Sequence, residues 1–176
     1  MDQTSQATDS SVTDVATQQS RRYPSSAEVE AAFTSSYPRY QYSFVELFAE
    51  HVADVCRTFN GDMQMAVLLA TVGQVTLRTA LAAEAAGEAI DRLPPERRGI
   101  TAHRLADATG IPRETTRRKL VAMEKMGWLT REKNFWCLAF VGSDASARID
   151  LAELDERTIK RVARFYAAVA PLVESD

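Results

Sequence analysis

The sequence predicts a mainly helical protein with one small β-hairpin, and three observations lead to this prediction. Apolar side chains recur at intervals of three and four residues over most of the chain, which is the spacing of one helix face. Serine, threonine and aspartate stand where several of these runs begin, as expected of helix N-caps. Two short apolar runs, 128–131 and 135–140, are separated by only three residues and predict a hairpin.

Composition and charge distribution indicate a globular chain with one basic surface. The 176 residues are 45% hydrophobic, which suits one domain or one domain with accessory helices. The net charge is −3, but residues 92–133 contain 11 Lys or Arg and 5 Asp or Glu, a net +6 that leaves −9 elsewhere. A basic patch on an acidic body concentrates the attraction for a polyanion on one surface.

The stretch 100–127 predicts two helices joined by a tight turn. Thr101 is suited to cap the first helix. Gly110 tolerates the positive φ that ends a helix, Ile111 fills the corner, and Pro112 has the fixed φ that suits the start of a second helix. This order is a helix-turn-helix.

The second helix has distinct inner and outer faces. Its inner row contains Thr116, Leu120 and Met123, continued by Met126 or Gly127. Its outer face, at the N-terminal end, is strongly polar and carries Arg113, Glu114, Thr115, Arg117 and Arg118. The hairpin that follows would turn at Glu132–Asn134, with Arg131 and Lys133 near the tip. A hairpin placed directly after a helix-turn-helix forms a wing.

This block resembles the winged helix-turn-helix domains of bacterial transcription regulators of the MarR, GntR and Crp groups. Two positions depart from the usual pattern, because Pro112 stands where Ser is common and Thr116 where Val or Ile is common. The order of helices before and after the block resembles the MarR group most. The residues that carry the resemblance are Leu105-Ala106, Thr109-Gly110-Ile111, Arg113 to Arg118, Leu120, Met123-Glu124 and Gly127-Trp128-Leu129.

The resemblance implies binding of double-stranded DNA, with the second helix (113–127) in the major groove. Arginine can bind guanine through two hydrogen bonds, and threonine can contact the thymine methyl group. The candidates for base contact are therefore Arg113, Thr115 and Arg117. The candidates for contact with the DNA backbone are Arg104, Arg118, Lys119, Arg131 and Lys133.

Two other interpretations compete with DNA binding. The block could be a core helical hairpin with a solvated basic face, or a protein-interaction module that kept the fold without the DNA. An enzyme is disfavoured because we find no glycine-rich phosphate loop, no metal-ligand spacing and no nucleophile beside a base. We therefore predict no catalytic, metal or cofactor residues.

The remainder of the chain divides into three predicted segments. Residues 1–22 are polar and predict a disordered tail, 23–90 a helical part, and 142–176 a C-terminal helix after a loop at 142–144. These surround the winged region at 91–141, which opens with a linker, 91–99.

Two capping boxes divide the helical part as the sequence predicts it. One opens a short helix at Ser25, ending near Phe33, and the other opens a longer helix at Ser43, which Asn60-Gly61 ends. An aromatic link, 37–42, would join the two helices. In the longer helix, the apolar stripe contains Phe44, Phe48, Val52, Val55, Cys56 and Phe59, and the predicted solvated acidic face contains Glu46, Glu50 and Asp54.

A long helix from Asp62 to about Gly87 is predicted at the centre of the fold. Its apolar run, 65–77, is only 13 residues, too short for a membrane span of roughly 20. A helix apolar on all sides must be covered on all sides. We expect a second subunit on the outer side, so that the protein is a homodimer on near-palindromic DNA. No particular effector is indicated, although a ligand could lie near Tyr40, Tyr42 or Gln74.

The C-terminal helix would begin near Asp150 and fold back on the long helix or pair across the dimer. Its apolar stripe contains Leu154, Ile159, Val162, Phe165, Tyr166, Val169 and Val173. Cys56 and Cys137 are expected to be reduced and structural, and the lack of an apolar signal core predicts a cytoplasmic protein.

Overall fold

The computed structural model describes residues 23–139 and 146–174 and is mainly helical, with one small sheet. The predicted tail 1–22, the loop 142–144 and Phe140 lie outside the described residues. In chain order the elements are α1 (Ser26–Ser35), α2 (Tyr37–Thr58), α3 (Met63–Ala85), a 3-10 turn (Ile90–Arg92), α4 (Pro95–Arg98), β1 (Ile100–Thr101), α5 (Ala102–Thr109), α6 (Arg113–Lys125), β2 (Leu129–Glu132), β3 (Phe135–Leu138), α7 (Ser146–Asp150) and α8 (Ala152–Val173).

The helix-turn-helix forms as the sequence predicts. The side chain of Thr101 accepts a hydrogen bond from the Arg104 backbone N–H at 3.3 Å, which caps α5. Gly110 ends α5 with a φ of 69°, and Ile111 is buried in the corner. The inner row of α6, made of Thr116, Leu120 and Met123, is fully buried, but it does not continue to Met126, which is 47% exposed just beyond the end of the helix.

The wing is the β2–β3 hairpin, and it belongs to a three-stranded antiparallel sheet in the order β1-β3-β2. Leu129 pairs with Leu138 at one end of the hairpin and Glu132 with Phe135 at the other. The turn contains Lys133, whose φ of 54° is unusual for a residue with a side chain. Strand β1 was not predicted, because two residues are too few to show a periodicity. It forms by pairing with β3.

Helix α3 lies at the centre of the hydrophobic core. Asp62 caps it by accepting a hydrogen bond from the Met65 backbone N–H at 2.9 Å, as predicted. Leu68 and Val72 are fully buried in the core that α3 shares with α5, α6 and the sheet. Thr76 is also buried, and its hydroxyl donates to backbone carbonyls in its own helix and in the linker.

The apolar length of α3 exceeds the predicted run. The whole helix has 23 residues, and among the described residues it alone is long and apolar enough to cross a membrane by length and composition. The 13-residue run by itself therefore does not exclude a membrane span by length. Within the described structure, 33% of the apolar window of α3 is buried, and Leu68 and Val72 pack in the hydrophobic core shared with α5, α6 and the sheet.

The two N-terminal helices differ from the prediction in their boundary. The Ser25–Glu28 capping box is present, but α1 continues to Ser35, and α2 begins at Tyr37 rather than after Ser43. The predicted aromatic link is thus helical. Four aromatic rings stack in a row that runs from α1 into α2. The distances between successive ring centroids are 4.7, 5.8 and 6.0 Å along Phe33, Tyr40, Phe44 and Phe48. This stacking favours a continuous helix through Ser43, and Pro38 lies in the first turn, where proline is tolerated.

The acidic residues of α2 are not a solvated face, which corrects the prediction for Glu50 and Asp54. Asp54 is only 2% exposed and forms ion pairs with Arg57, Arg157 and Arg161. Glu50 pairs with Arg161 at 3.0 Å and also with Arg164. Three of these arginines belong to α8, so we call Glu50, Asp54, Arg57, Arg157, Arg161 and Arg164 the α2–α8 ion cluster.

Helix α8 packs against α2 and α1, rather than on the long helix α3 as one alternative had it. Its predicted stripe divides: Leu154 and Val169 are buried, whereas Ile159, Val162 and Tyr166 are exposed. We call α1, α2, α7 and α8 the helical arm. The arm meets the core at Trp128, whose indole Nε1 donates to Asp150 at 2.7 Å and whose ring contacts Phe59 edge-on.

Both cysteines are free thiols. Cys137 is buried, and this burial raises the pKa of its thiol. Cys56 is half-buried, and its Sγ lies 3.3 Å from the sulfur of Met63. Both are therefore packed side chains, in accord with the structural role expected of them.

Candidate nucleic-acid interface

The exposed face of α6 carries a row of guanidinium groups. Arg113, Arg117 and Arg118 are all exposed, with 72% of the Arg113 side chain and 63% of the Arg117 side chain open to solvent. The inner row of α6, in which Leu120 is fully buried, faces the core and leaves the arginine side chains to solvent. The predicted base-contacting Thr115 is half-buried between the two faces.

One of these guanidiniums is held by a carboxylate on the same helix. Arg117 donates from Nε to Glu114 Oε2 at 3.0 Å and from Nη2 to Oε1 at 2.7 Å. Residues three apart on a helix are neighbours, which allows this two-point contact. The hydrogen bond from Arg117 lowers the pKa of Glu114, and the same contact raises the pKa of Arg117. Both groups are therefore charged at neutral pH.

A second carboxylate, Asp107 on α5, lies between a histidine and an arginine. Its Oδ1 is 3.9 Å from Arg113 Nη2, and its Oδ2 is 3.4 Å from His103 Nδ1. All three side chains are more than half exposed. Arg104, the predicted backbone contact on α5, is exposed on the same short helix. The surface formed by α5 and α6 therefore has arginines in excess, with two acids among them.

The wing contributes two further cations. The Arg131 guanidinium lies 5.6 Å from the centre of the Trp136 ring, and its Nε donates to the Lys133 carbonyl at 3.3 Å. Lys133 Nζ donates to Glu96 at 3.2 Å. A hydrogen bond from its own backbone amide and this contact with Lys133 lower the pKa of Glu96. The contacts with the Trp136 ring and the Lys133 carbonyl hold Arg131 against the sheet, while its side chain remains exposed.

An open groove separates α6 from the wing. Arg117 lines one side and Arg131 the other, so that the predicted base contact and backbone contact face a common space. Its complete lining is Thr101, Ala102, His103, Arg117, Val121, Arg131, Asn134 and Trp136.

Lys119 lies apart from the other predicted contacts. Its side chain is only 12% exposed, and its Nζ donates to both carboxylate oxygens of Asp62, one of them at 2.6 Å. Burial acts to raise the pKa of Asp62, but hydrogen bonds from Lys119 and the Met65 amide outweigh it, so this pKa is lowered. Lys119 therefore ties α6 to the start of α3, and to reach a phosphate it would have to break this pair.

The acidic partners of the cationic surface were not predicted from the sequence. Glu114 was placed on the outer face of α6 without a role, and Asp107 and Glu96 received none. The spacing of three residues between Glu114 and Arg117 was a usable signal. The contacts of Glu96 with Lys133 and of Asp107 with Arg113 cross between elements, so no local spacing indicated them.

Comparison with known families now adds to this geometry. The model of the IclR helix-turn-helix domain matches residues 83–133, from the last turn of α3 to the tip of the wing. The chain carries an IclR-type helix-turn-helix domain. This is a regulatory DNA-binding domain rather than a catalytic one. The match supports the predicted bacterial winged helix-turn-helix, although it is to the IclR group and not to the MarR, GntR or Crp groups.

The match covers the helix-turn-helix domain but neither β3 nor the helical arm. No curated protein and no solved structure was found to match the chain. The presence of this domain supports a DNA-binding transcription regulator, and the exposed arginines of α6 lie within the matched residues.

Proposed function

We propose that this protein is a sequence-specific transcription regulator that binds double-stranded DNA with α6 in the major groove. The observation that carries the proposal is the row of exposed guanidiniums on α6 of an IclR-type helix-turn-helix domain. Residues at the N-terminal end of a recognition helix reach base edges, and Arg113 and Arg117 occupy the first two turns of α6.

The proposal assigns different tasks to the cations of this surface. Arg113, Thr115 and Arg117 contact base edges. Arg104 and Arg118, with Arg131 and Lys133 in the wing, contact phosphates and position the domain without selecting a sequence. Lys119 is omitted from the phosphate contacts because its ammonium group is bound to Asp62.

The active form is proposed to be a homodimer in the cytoplasm, with two copies of α6 in successive major grooves of a near-palindromic site. The support is a set of apolar side chains that the described part of the chain leaves uncovered. In the helical arm, Phe48 is 58%, Ile159 70% and Tyr166 67% exposed, and on α3 Leu81 is 67% exposed. Large exposed apolar patches mark interaction sites.

DNA binding is tested by fluorescence anisotropy with a pool of promoter fragments over a series of salt concentrations. We expect tight binding to a few fragments that weakens steeply with salt, because phosphate contacts release counterions. The double variant Arg117→Ala/Arg118→Ala should lose this binding, whereas Arg78→Ala, an exposed arginine on α3, should retain it. Absence of binding by the unaltered protein at low salt would overturn the proposal and favour the protein-interaction module.

Single variants then separate base contacts from phosphate contacts. Arg117→Ala should weaken binding to the selected fragment by about tenfold to a hundredfold and random DNA far less. Lys133→Ala should weaken both to a similar degree. An equal loss on selected and random DNA for Arg117→Ala would remove its base-contacting role.

The dimer is tested by sedimentation equilibrium. The unaltered chain should behave as a dimer, and Ile159→Asp/Tyr166→Asp should yield a folded monomer with weakened DNA binding, because one half-site then binds alone. The control is Lys160→Ala, which changes an exposed residue of α8 outside this apolar set. A monomeric unaltered protein at micromolar concentrations would contradict this part of the proposal.

A further inference from the structure

The two-point contact between Glu114 and Arg117 differs from the other contacts of the DNA-facing arginines. Arg113 approaches Asp107 no closer than 3.9 Å, beyond hydrogen-bond distance, so this contact does not fix the orientation of its guanidinium. Glu114 instead engages both Nε and Nη2 of Arg117, at 3.0 and 2.7 Å. A planar group held at two points has a defined orientation.

The contact leaves one complete edge of the guanidinium available. Arginine has five N–H donors, and Glu114 uses those on Nε and one on Nη2 of Arg117. Both N–H groups of Nη1 and the second N–H of Nη2 remain. These form the end of the fork that binds O6 and N7 of guanine, so Glu114 and a guanine could be bound simultaneously.

The same carboxylate acts against binding that depends on phosphates alone. Three quarters of the Glu114 side chain is exposed on the helix face that would enter the groove. Its negative charge partly offsets the attraction of Arg117 and Arg118 for the phosphates of any sequence. On the correct sequence, the fixed orientation of Arg117 compensates because less side-chain freedom is lost on binding.

We propose that Glu114 is a positioning residue that determines the specificity of α6, by orienting Arg117 towards a guanine and by weakening binding to random DNA. This inference rests on the proposed function, since it concerns how the DNA-binding surface discriminates between sequences. According to this inference, the negative charge of Glu114 lowers the affinity for DNA in general and raises the selectivity for the correct sequence.

The test is Glu114→Gln, which keeps the size of the side chain but removes its charge and one acceptor. The dissociation constants for the selected fragment and for random DNA are measured by anisotropy at several salt concentrations. We expect the ratio of the two constants to fall by about tenfold, part of the discrimination that a bidentate arginine–guanine contact provides. Glu124→Gln, the same change at the far end of α6, should leave the ratio unaltered.

A second comparison separates positioning from a structural role. In an Arg117→Ala background, Glu114→Gln should no longer change the ratio. Without Arg117, the charge of Glu114 weakens binding to the selected fragment and to random DNA equally. An undiminished effect there would overturn the positioning role, and so would a normal ratio in Glu114→Gln itself. If the unaltered protein shows no selective binding, the proposed function fails and this inference fails with it. Selective binding with a normal ratio in Glu114→Gln refutes this inference alone.

Discussion

The helix-turn-helix domain and the helical arm are stabilised in different ways. The domain and α3 together enclose a core in which Leu68, Leu105 and Leu120 are fully buried, and most charged groups of the domain lie at the surface. The arm has few buried apolar residues. The buried carboxylate of Asp54 joins α2 to α8, and the stacked, partly exposed rings of Phe33 and Tyr40 join α1 to α2.

The two regions also differ in how far their apolar side chains are covered within one chain. Within residues 83–133, Met126 is the one large apolar side chain that is exposed, whereas the arm leaves several exposed, such as Phe48 and Tyr166. A buried ion pair such as that of Asp54 with Arg161 contributes little net stability, but it can specify how helices pair, because a buried charge left without its partner is costly. We infer that the cluster sets the geometry of α2 and α8, and that the exposed apolar side chains are the part that a second copy would cover.

The largest expected effect comes from breaking the core of the domain. Leu120→Ala removes a fully buried side chain from the inner row of α6 and should lower the free energy of unfolding by about 2–5 kcal/mol. Met126→Ala serves as the control, because Met126 is 47% exposed just beyond the same helix. Urea denaturation followed by circular dichroism measures both. Similar losses for the two variants would mean that α6 is not anchored by its inner row.

The second effect tests the α2–α8 ion cluster. Asp54→Asn leaves three arginines without their central carboxylate, and we expect α2 and α8 to lose protection against hydrogen exchange while α5 and α6 keep it. Burial acts to raise the pKa of Asp54, but hydrogen bonds from Arg161 and Arg57 outweigh it and lower the pKa below its ordinary value of 3.8.

The sign of the pH dependence follows from this lowered pKa. Asp54 stabilises the folded state above pH 3.8, and this contribution is lost as the pH falls through the folded-state pKa. The difference in stability between the unaltered protein and Asp54→Asn should therefore be full near neutrality and should shrink below pH 3.8. A difference that stays constant down to pH 2 would show that the charge of Asp54 is not responsible.

A smaller effect is expected where the two regions meet. Asp150→Ala removes the acceptor for the Trp128 indole N–H, and because Trp128 is buried this should cost about 1–3 kcal/mol. Asp150→Asn keeps an acceptor oxygen and should recover most of the loss. Thermal unfolding of the three proteins provides the measurement, and equal stability of all three would indicate that this hydrogen bond does not couple the arm to the domain.

The smallest effect lies at the start of the arm. Ser25→Ala removes a capping box and should destabilise α1 by about 0.5–2 kcal/mol. The fraying should be confined to α1, because its cap lies at the exposed end of the arm, and Ser35→Ala at the other end of the helix is the matched control. Hydrogen exchange of α1 measures this local change. Loss of protection in α6 after Ser25→Ala would contradict the separation of the two regions.

Local patterns predicted the helix-turn-helix in detail. The cap at Thr101, the turn at Gly110 and the inner row of Thr116, Leu120 and Met123 are all as expected, since each depends on neighbours within about four residues. The wing was also predicted, because its turn joins adjacent segments. The base and phosphate contacts remain predictions that the proposed DNA measurements address.

Errors arose where a side chain had two plausible partners. Ser43 has the pattern of a helix cap, but stacked aromatic rings on both sides of it favour a continuous helix. Glu50 and Asp54 have the spacing of a solvated face, and only the approach of α8, about a hundred residues later, pairs both with arginines and buries Asp54. Lys119 was assigned to the cationic surface because the position of Asp62 beside it could not be inferred from spacing.

The sequence by itself determined the mainly helical class, the order of the helix-turn-helix and its wing, and the cationic character of α6, because caps, turns and periodicity act over a few residues. The tertiary structure alone decided which charges are buried and which helices pair. These depend on contacts between distant segments, whose energies come from burial and ion pairing rather than from local propensity.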